Sequence, residues 1–459
     1  MPVETEYASE LLNNFSLMKK ILIARSFAAA LAAAWFFTIP PAKAQEKLDL
    51  AACVKIALEN NLEVKRVLNQ ASAASINERQ SKLEYLPGIN ANINYDIRRG
   101  LTNDPTTFTP VTATTRSSMP SMSLNMDLFN GMKIRNSVRR NELLKKASET
   151  DVLQTRDQIE ILVTQSYLLV ISDKENIKIS KQRLDLLQEQ LARAEKRVDA
   201  GVANMEQVYN LRSEIAAENL QAVQLGNQYK SDKLTLLQAL LLDPTGDFLI
   251  ETPEVDQENL DLPIEPYEQI EEEVLGYSPA LRSAALQVTA SQRAMDITRA
   301  DRLPRLTLGA AYGSTYSSNN KADSYFDQLS LNEQKFLGFN LSIPIFDRNR
   351  VTNNIHLAKI DIANSELTLD QSEIDLRNQL QRAYFDLVAA HSTYVAAKEN
   401  LTAFQQSFKF AQTSYEAGRT DFYTYLESLN NKNRGEIELI NSKYSYQFRK
   451  KILDIYRGL

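Results

Sequence analysis

The sequence has few of the residues on which most metal and catalytic sites depend. Its 459 residues include one cysteine and two histidines, too few for a disulfide framework or a Cys/His zinc site. The histidines, His356 and His391, stand far apart without paired carboxylates at ligand spacing, and the glycines form no phosphate-binding loop. We therefore predict a protein that is not an enzyme and that uses no metal and no cofactor.

Glycine and proline are also scarce, at 13 and 14 residues, which permits long uninterrupted secondary-structure elements. The 52 basic residues are outnumbered by 58 acidic ones, and the net charge of -6 argues against nucleic-acid binding, which normally needs a basic face. A mean hydropathy of -0.34 leaves no room for a bundle of membrane helices. Length alone predicts about two or three domains.

The N-terminus has the pattern of a cleaved secretory signal. A basic segment at Met18-Lys19-Lys20 precedes an apolar run over residues 27–39, which is shorter than the roughly 20 residues that span a bilayer. Pro40-Pro41-Ala42-Lys43-Ala44 follows, and its last three residues have the form that signal peptidase cleaves. We predict a signal peptide over residues 1–44, with translation starting at Met1 or Met18. An uncleaved N-terminal anchor helix is the alternative.

The single cysteine is a candidate for lipid attachment. Cys53 follows Leu50-Ala51-Ala52, as the acylated cysteine of a lipoprotein would, but residues 45–49 separate this segment from the apolar run that should directly precede it. We interpret Cys53 as a small buried residue on a helix, with lipidation as the alternative.

The mature chain is a tandem duplication. Aligned with itself at an offset of 217 residues, the sequence matches without a gap from about residue 48 to the C-terminus. The coinciding positions include Leu86-Pro87 with Leu303-Pro304, Tyr167 with Tyr384, Ala200-Gly201 with Ala417-Gly418, and Tyr229 with Tyr446. We predict a first repeat over residues 45–243, an acidic linker over 244–266 and a second repeat over 267–459.

Each repeat shows the same order of patterns. A helical segment comes first, at residues 48–84 in the first repeat, and two runs follow in which apolar and polar residues alternate. The predicted strands cover residues 89–97, 122–128, 306–312 and 337–345. Polar loops over residues 98–120 and 313–335 join the strands of each pair. The predicted fold is therefore mainly α-helical with four β-strands per chain.

The polar faces of these strands carry Asn, Ser, Thr, Asp and Gly. Small polar residues of this kind line the water-filled lumen of a membrane barrel, whose apolar face meets lipid. An ordinary hairpin outside a membrane is the alternative. If the strands lie in lipid, four of them cannot close a barrel and no edge can stay unpaired. Several chains must then share one barrel, and a trimer would supply twelve strands.

A very long helix is predicted after each strand pair. Residues 132–199 and 349–416 contain no glycine or proline, and a helix of this length spans about 100 Å. Each ends at a glycine, Gly201 or Gly418, after which a second helix returns antiparallel from residues 205 and 422. An apolar heptad predicts packing against another helix. Its positions are Ile177, Leu184, Leu187, Leu191, Ala194 and Val198, with apolar or aromatic counterparts in the second repeat.

The mature chain resembles the outer-membrane efflux proteins of the TolC type. The resemblance rests on Ala57-Leu58-Glu59-Asn60-Asn61-Leu62, on the two Leu-Pro entries to strands, and on the turn segments at residues 198–203 and 415–420. It implies a homotrimer with a 12-stranded barrel in the outer membrane of a Gram-negative bacterium and a long α-helical barrel in the periplasm. It also implies docking to a periplasmic adaptor and an inner-membrane RND or ABC transporter, as in drug efflux or type I protein secretion.

The resemblance further implies that the hairpin tips contact the adaptor and form the periplasmic entrance. The implied tip residues are Gly201, Val202 and Ala203 in the first repeat, and Gly418, Arg419, Thr420 and Asp421 in the second. The implied gate residues are Arg419, Thr424 and Glu427. Thr424 stands where the family often has an acidic residue, so Glu427 is left to form a single carboxylate ring. Solvated helix-end charges are the alternative interpretation of Arg419 and Glu427.

A periplasmic coiled-coil scaffold or adhesin outside the membrane is the alternative function. Long helices suffice for such a protein, but it does not explain four alternating strands at equivalent places in two repeats. The residue types of the polar faces do not select a cargo, because Asn, Ser and Thr are compatible with drugs, metal ions or an unfolded polypeptide.

Overall fold

The structure is a computed structural model that describes residues 46–202, 204–244, 246, 248–252 and 263–459. The predicted signal peptide, Ala203 and most of the predicted linker lie outside the described residues. Within that description, no helix is both long enough and apolar enough to cross a membrane.

The described elements follow one another in two similar series. In chain order they are β1 (Glu46–Leu48), α1 (Leu50–Asn60), α2 (Leu62–Leu83), β2 (Gly88–Asn103), β3 (Pro110–Phe129), α3 (Lys133–Asp199), α4 (Met205–Ala239), β4 (Phe248–Ile250), α5 (Tyr267–Tyr277), α6 (Pro279–Ala300), β5 (Arg305–Gly313), β6 (Tyr316–Ser317), α7 (Tyr325–Leu331), β7 (Gln334–Ser342), α8 (Arg350–Glu416) and α9 (Phe422–Arg457). The chain forms two compact units.

The described part of the smaller unit contains a parallel pair of short strands. In it, β1 lies beside β4 with Glu46 opposite Phe248 and Leu48 opposite Ile250. The N–H of Glu251 donates to the carbonyl oxygen of Leu48 at 3.0 Å, which continues the pairing past the end of β4. The side chains of Leu48 and Ile250 are buried, so the pair has an apolar side.

The larger unit contains the remaining helices and strands, and its helices occur in matched pairs. The members of the pairs α1 and α5, α2 and α6, and α3 and α8 begin and end 217 residues apart, and α4 and α9 begin 217 residues apart. Both long helices follow a residue in the left-handed conformation, Met132 with φ of 67° and Asn349 with φ of 59°. The backbone of the first series is therefore repeated closely in the second.

The single helix predicted over residues 48–84 is wrong, because the structure divides it into α1 and α2 at Asn61. The side-chain oxygen of Asn61 accepts hydrogen bonds from the N–H groups of Glu63 and Val64, which makes Asn61 the N-cap of a new helix. At the equivalent position Ser278 caps α6, and Pro279 stands at its first turn. Capping residues thus break both helices at the same point.

The strands of the larger unit form one antiparallel sheet in the order β2, β3, β5 and β7, with β6 paired to β3. The four predicted strands are all present, although β7 ends at Ser342 and the predicted strand continued to residue 345. The predicted count of four per chain is too low, because the described residues also form β1, β4 and β6. The sheet connects the two repeats directly, because β3 of the first pairs with β5 of the second.

The predicted loops over residues 98–120 and 313–335 are largely wrong. Strand β2 continues to Asn103 and β3 begins at Pro110, so the first connection is only residues 104–109. The second contains β6 and the short helix α7. The first part of β3 is rich in threonine and serine and has polar residues on both faces. Such a strand lacks the alternation of apolar and polar residues from which strands are predicted.

The long helices are confirmed almost to the residue, since α3 and α8 each contain 67 residues. Leu187 and Ala194 of the predicted heptad are buried, as are the counterpart positions Tyr394, Leu401 and Ala411. Cys53 is fully buried on α1, as its interpretation as a core residue predicts.

The sheet is fixed to the helices through a tightly packed corner before α3. Gly131 has a φ of 66°, and a Cβ on it would lie 2.8 Å from the carbonyl oxygen of Ala300. The Nζ of Lys133 lies 2.9 Å from a carboxylate oxygen of Asp301, just past the end of α6. Only glycine meets both the conformational and the steric requirement here, so this corner sets how the strands leave the helices.

Candidate functional site

The two hairpin tips have the same backbone geometry. Gly201 and Gly418 both adopt the left-handed conformation, with φ of 72° and 69°. The N–H of Val202 donates to the carbonyl of Arg197 at 3.0 Å, and the N–H of Arg419 donates to the carbonyl of Ser414 at 2.8 Å. These bonds satisfy carbonyl groups at the end of each long helix, and the glycine lets the chain reverse.

Side-chain caps start the returning helices. The side-chain oxygen of Asn204 accepts from the N–H of Glu206 at 3.2 Å, and a carboxylate oxygen of Asp421 accepts from the N–H of Thr424 at 2.9 Å. The hydrogen bond from the Thr424 N–H lowers the pKa of Asp421, which keeps that carboxylate charged at the tip. The Thr424 hydroxyl also donates to Asp421.

The predicted tip and gate residues lie close together but do not form one bonded group. Val202, Arg419, Thr424 and Glu427 are exposed. Thr424 belongs to the helix cap, and Glu427 lies about one turn further along α9. Within the described part of the chain, Arg419 and Glu427 form no ion pair with each other. Ala203 is outside the described residues.

Behind the tips, an apolar cluster holds the two hairpins together. We call it the tip cluster, and its buried members are Leu187, Ala194, Val208, Leu211, Phe422, Tyr425, Leu426 and Leu429. The rings of Tyr415 and Tyr425 stack 5.1 Å apart, and burial raises the pKa of the Tyr425 hydroxyl to about 12. The cluster takes residues from α3, α4 and α9, so its packing fixes the hairpins relative to each other.

Two sets of hydrogen bonds cross between the hairpins near the tips. The Tyr423 hydroxyl donates to the carboxylate of Glu206 and accepts from the side-chain amide of Asn210 at 3.1 Å. The Tyr415 hydroxyl lies 3.3 Å from the side-chain oxygen of Gln207. We call these five residues the tip lock. They join α4 to α8 and α9, so separation of the hairpins must break them.

Sequence reasoning missed the tip lock and the aromatic members of the tip cluster. Phe422, Tyr425, Leu426 and Leu429 have the spacing of one apolar helix face, and that pattern could have identified them as packing residues. The bond of Tyr423 with Glu206 could not have been found from the sequence. The two residues occupy equivalent positions of the repeats, 217 residues apart, but equivalence in a duplication does not predict contact.

The sheet has one apolar and one polar face along its whole width. The register places Ile89, Leu124, Ala310 and Leu337 opposite one another on the apolar face, and Asn90, Ser123, Ala311 and Phe336 on the polar face. The apolar side chains are not covered, and Ile93, Leu337 and Phe339 are 77%, 71% and 68% exposed. An uncovered apolar face of this kind marks a surface that meets lipid or another protein.

Among the described residues, no strand pairs with either edge of this sheet. In the order β2-β3-β5-β7, the strands β2 and β7 each have a neighbour on one side. Each edge leaves a row of N–H and C=O groups that can pair with a strand of another chain. The exposed apolar face and the two open edges are the features that the fold leaves incomplete.

At the far end of the sheet, a buried carboxylate joins the two connecting loops. Asp104 accepts from the hydroxyls of Thr106 and Ser317 at 2.6 and 2.5 Å, and from the side-chain amide of Asn319 at 2.9 Å. We call these four residues the loop clamp. Asp104 is 2% exposed, and the clamp links the first hairpin to the loop after β5.

These features define a protein of long antiparallel helical hairpins with an antiparallel sheet whose apolar face is exposed. Residues 53–240 and 271–453 match the outer membrane efflux protein family, and the chain belongs to this family. The TolC-type resemblance is thereby confirmed, and the protein is assigned to the outer membrane of a Gram-negative bacterium.

Similar proteins include two from Pseudomonas aeruginosa. The pyoverdine export outer membrane protein OpmQ is 26% identical over 290 residues, which cover 62% of this chain and 57% of OpmQ. The outer membrane protein OprJ is 24% identical, over 90% of this chain and 84% of OprJ. The match thus spans less than two thirds of OpmQ but most of OprJ.

A crystal structure of CusC, described in connection with folding and transmembrane channel formation, has a similar fold. It gives a TM-score of 0.75 at 17% sequence identity, covering 92% of this chain and 95% of CusC. At this identity the likeness concerns the fold alone, and the described part of this chain is mainly helical with few strands.

Proposed function

We propose that three copies of this chain form one channel through the outer membrane, the exit duct of a tripartite export system. The proposal rests mainly on the sheet formed by β2, β3, β5 and β7, which has an exposed apolar face and two open edges among the described residues. Lipid tolerates no unpaired sheet edge, and four strands are too few to close a barrel. Pairing β2 of one chain with β7 of the next around three chains would close a 12-stranded barrel.

The proposed barrel has its apolar face in lipid and its polar face around a water-filled lumen. Strands of about 9 to 11 residues suffice to cross a bilayer when tilted, and β5 and β7 have nine residues each while β2 and β3 are longer. The extra length of β2 and β3 would project beyond the membrane toward the loop clamp.

In the same proposal the helices form a second tube in the periplasm. Each chain contributes two hairpins, α3 with α4 and α8 with α9, so three chains contribute twelve helices. A helix of 67 residues is about 100 Å long, and no single globular domain needs such a rod. The proposed plan keeps a signal peptide at residues 1–44, repeats at 45–243 and 267–459, and a linker at 244–266.

The proposed partners are a periplasmic adaptor and an inner-membrane transporter of the RND or ABC type. The adaptor would contact the tips at Gly201, Val202, Ala203 and residues 418–421. The proposed cargo is a small molecule exported from the cell or a protein secreted by a type I system; the name of OpmQ refers to pyoverdine export. Deleting the gene and measuring both drug susceptibility and the set of secreted proteins distinguishes the two.

The proposed gate is the ring of tips. The tip cluster and tip lock hold the hairpins of one chain together, which would keep the entrance closed. An adaptor that binds the separated tips more tightly than the closed ones would shift the population toward the open channel. Three Glu427 carboxylates near one axis would favour the passage of cations.

Replacing Glu427 by glutamine together with Arg419 by alanine should raise the single-channel conductance severalfold. The change removes three carboxylates and three guanidinium groups from the proposed entrance, which weakens the closed state and the preference for cations. The measurement is conductance and ion selectivity in planar bilayers. The matched control is Glu63→Gln with Arg66→Ala, which removes an exposed ion pair on α2 far from the tips. Equal conductance in variant and wild type would remove Arg419 and Glu427 from the gate.

The channel itself is tested by membrane fractionation followed by bilayer recording. After washing with carbonate or urea, the protein should remain with the outer membrane, because its strands are held in lipid. A periplasmic scaffold or adhesin would be released into the wash. Purified wild-type protein should then produce discrete conductance steps, and retention without any conductance would contradict the proposed duct.

A further inference from the structure

An aromatic ring lies on the polar face of the sheet, where the neighbouring side chains are small or polar. The register places Phe336 in one row with Asn90, Ser123 and Ala311. The adjacent row holds Gly88, Asn125, Gly309 and Gly338. Among the described residues of these two rows, Phe336 has the one large apolar side chain.

The ring of Phe336 lies over a pair of glycines. Gly309 and Gly338 stand directly opposite each other on β5 and β7. A Cβ on Gly338 would lie 2.6 Å from the Cζ of Phe336, and a Cβ on Gly309 would lie 3.8 Å from its Cε1. The ring therefore occupies the space left by the absent side chains of the two glycines. Aromatic residues cover glycines in sheets in the same way.

The other side of the ring stays open. Phe336 is 62% exposed although its ring rests on the glycine backbone, so the exposed part faces away from the sheet on its polar side. An aromatic ring held in this way keeps one π-face free for stacking. Because the ring is already fixed in one orientation, little side-chain conformational entropy is lost when another ring binds.

We propose that Phe336 is a stacking site for planar aromatic molecules on the wall of the lumen, and this rests on the proposed channel. The site would favour planar aromatic cargo over aliphatic cargo of the same charge, because only a flat π-system can lie parallel to the ring. Asn90, Ser123 and Asn125 lie on the same face of the sheet and leave the rest of the wall polar. Phe336 would thus lengthen the residence time of planar aromatic molecules in a duct that is otherwise unselective.

The test is block of the wild-type channel by two monovalent cations in planar bilayers. Ethidium is planar and aromatic, and tetrabutylammonium is not, so the pair separates stacking from charge. Ethidium should block the wild type more strongly, and Phe336→Leu should weaken ethidium block about fivefold while leaving tetrabutylammonium block unchanged. Phe336→Tyr should retain the ethidium block, because it keeps the ring.

The matched control is Phe339→Leu, which makes the same change on the opposite face of the same strand. This variant should be blocked by both cations as strongly as wild type. Gly338→Ala, whose Cβ must displace the ring, should weaken ethidium block as Phe336→Leu does. Equal block by the two cations in wild type, or unchanged ethidium block in Phe336→Leu, would overturn the stacking site while the channel stands. A wild-type protein with no conductance would overturn the proposed channel and this site together.

Discussion

The Arg183→Met variant should be less stable than wild type by about 3–5 kcal/mol, the usual cost of removing one partner from a buried ion pair. Arg183 on α3 lies 2.9 Å from the carboxylate of Glu218 on α4, and it donates to the side-chain oxygen of Asn430 on α9 at 2.6 Å. Glu218 is 4% exposed and also accepts from the Ser180 hydroxyl at 2.5 Å. Methionine would leave this buried carboxylate without its cation.

The loss should appear as a lower midpoint of thermal unfolding, followed by circular dichroism of the helices. Two controls separate the buried pair from charge in general. Adding Glu218→Gln to Arg183→Met should recover part of the loss, because the uncompensated charge is gone. Arg193→Met, in the exposed pair of Arg193 with Glu189, should change stability by less than about 1 kcal/mol. If the two arginine variants melt alike, the Arg183 network does not join the three helices.

The Asp104→Ala variant should release the loops at the far end of the sheet. The substitution removes the common acceptor of the loop clamp and leaves the hydroxyl of the buried Ser317 without an acceptor, at a cost of about 1–3 kcal/mol. Asn319, which is half-buried, loses one bond and keeps its bond to Thr115. The loops should then become substrates for a protease added to intact cells. The measurement is the rate of cleavage by proteinase K. The matched control is Asp96→Ala, at a half-buried residue of β2 outside the clamp. Equal cleavage of the two variants would show that the clamp does not order the loops.

The clamp should also depend on pH in a defined direction. Burial raises the pKa of Asp104, but hydrogen bonds from Ser317, Thr106 and Asn319 outweigh that effect and hold the pKa well below its usual value of 3.8. A carboxyl group with a lowered pKa stabilises the fold above pH 3.8 and loses that contribution as the pH falls through its folded-state pKa. The loops of wild type should therefore stay protected at neutral pH and open only in strong acid.

The long elements could be predicted because their signals are local. The absence of glycine and proline over residues 132–199 is enough to predict α3, and Gly201 marks where it ends. The break at Asn61 was missed although the same residue is a good N-cap, because nothing in the surrounding apolar pattern changes there. The part of β3 before residue 122 was missed because its threonines and serines give no alternation of apolar and polar residues. Without that alternation, the sequence does not distinguish a strand from a loop.

The candidate site could be predicted only in outline. The turn glycines identified the tips, and the alternation of strands identified the faces of the sheet. The contacts that hold the tips together depend on residues from both repeats, as in the bonds of Tyr423 with Glu206 and of Tyr415 with Gln207. The Arg183 network and the loop clamp likewise join distant segments. In the sequence, nothing distinguishes these residues from polar residues of the surface, because their contacts form only between distant segments of the folded chain.

In the proposed channel, the sheet of one chain is one third of a barrel that three chains share. The most direct test is the native mass of the purified protein that gives conductance in bilayers, measured after gentle removal of detergent. We expect the conducting particle to contain three chains, and neither one nor two chains should form a conducting species. A conducting particle of a single chain would contradict this expectation, because the four-stranded sheet would then have to close without its neighbours.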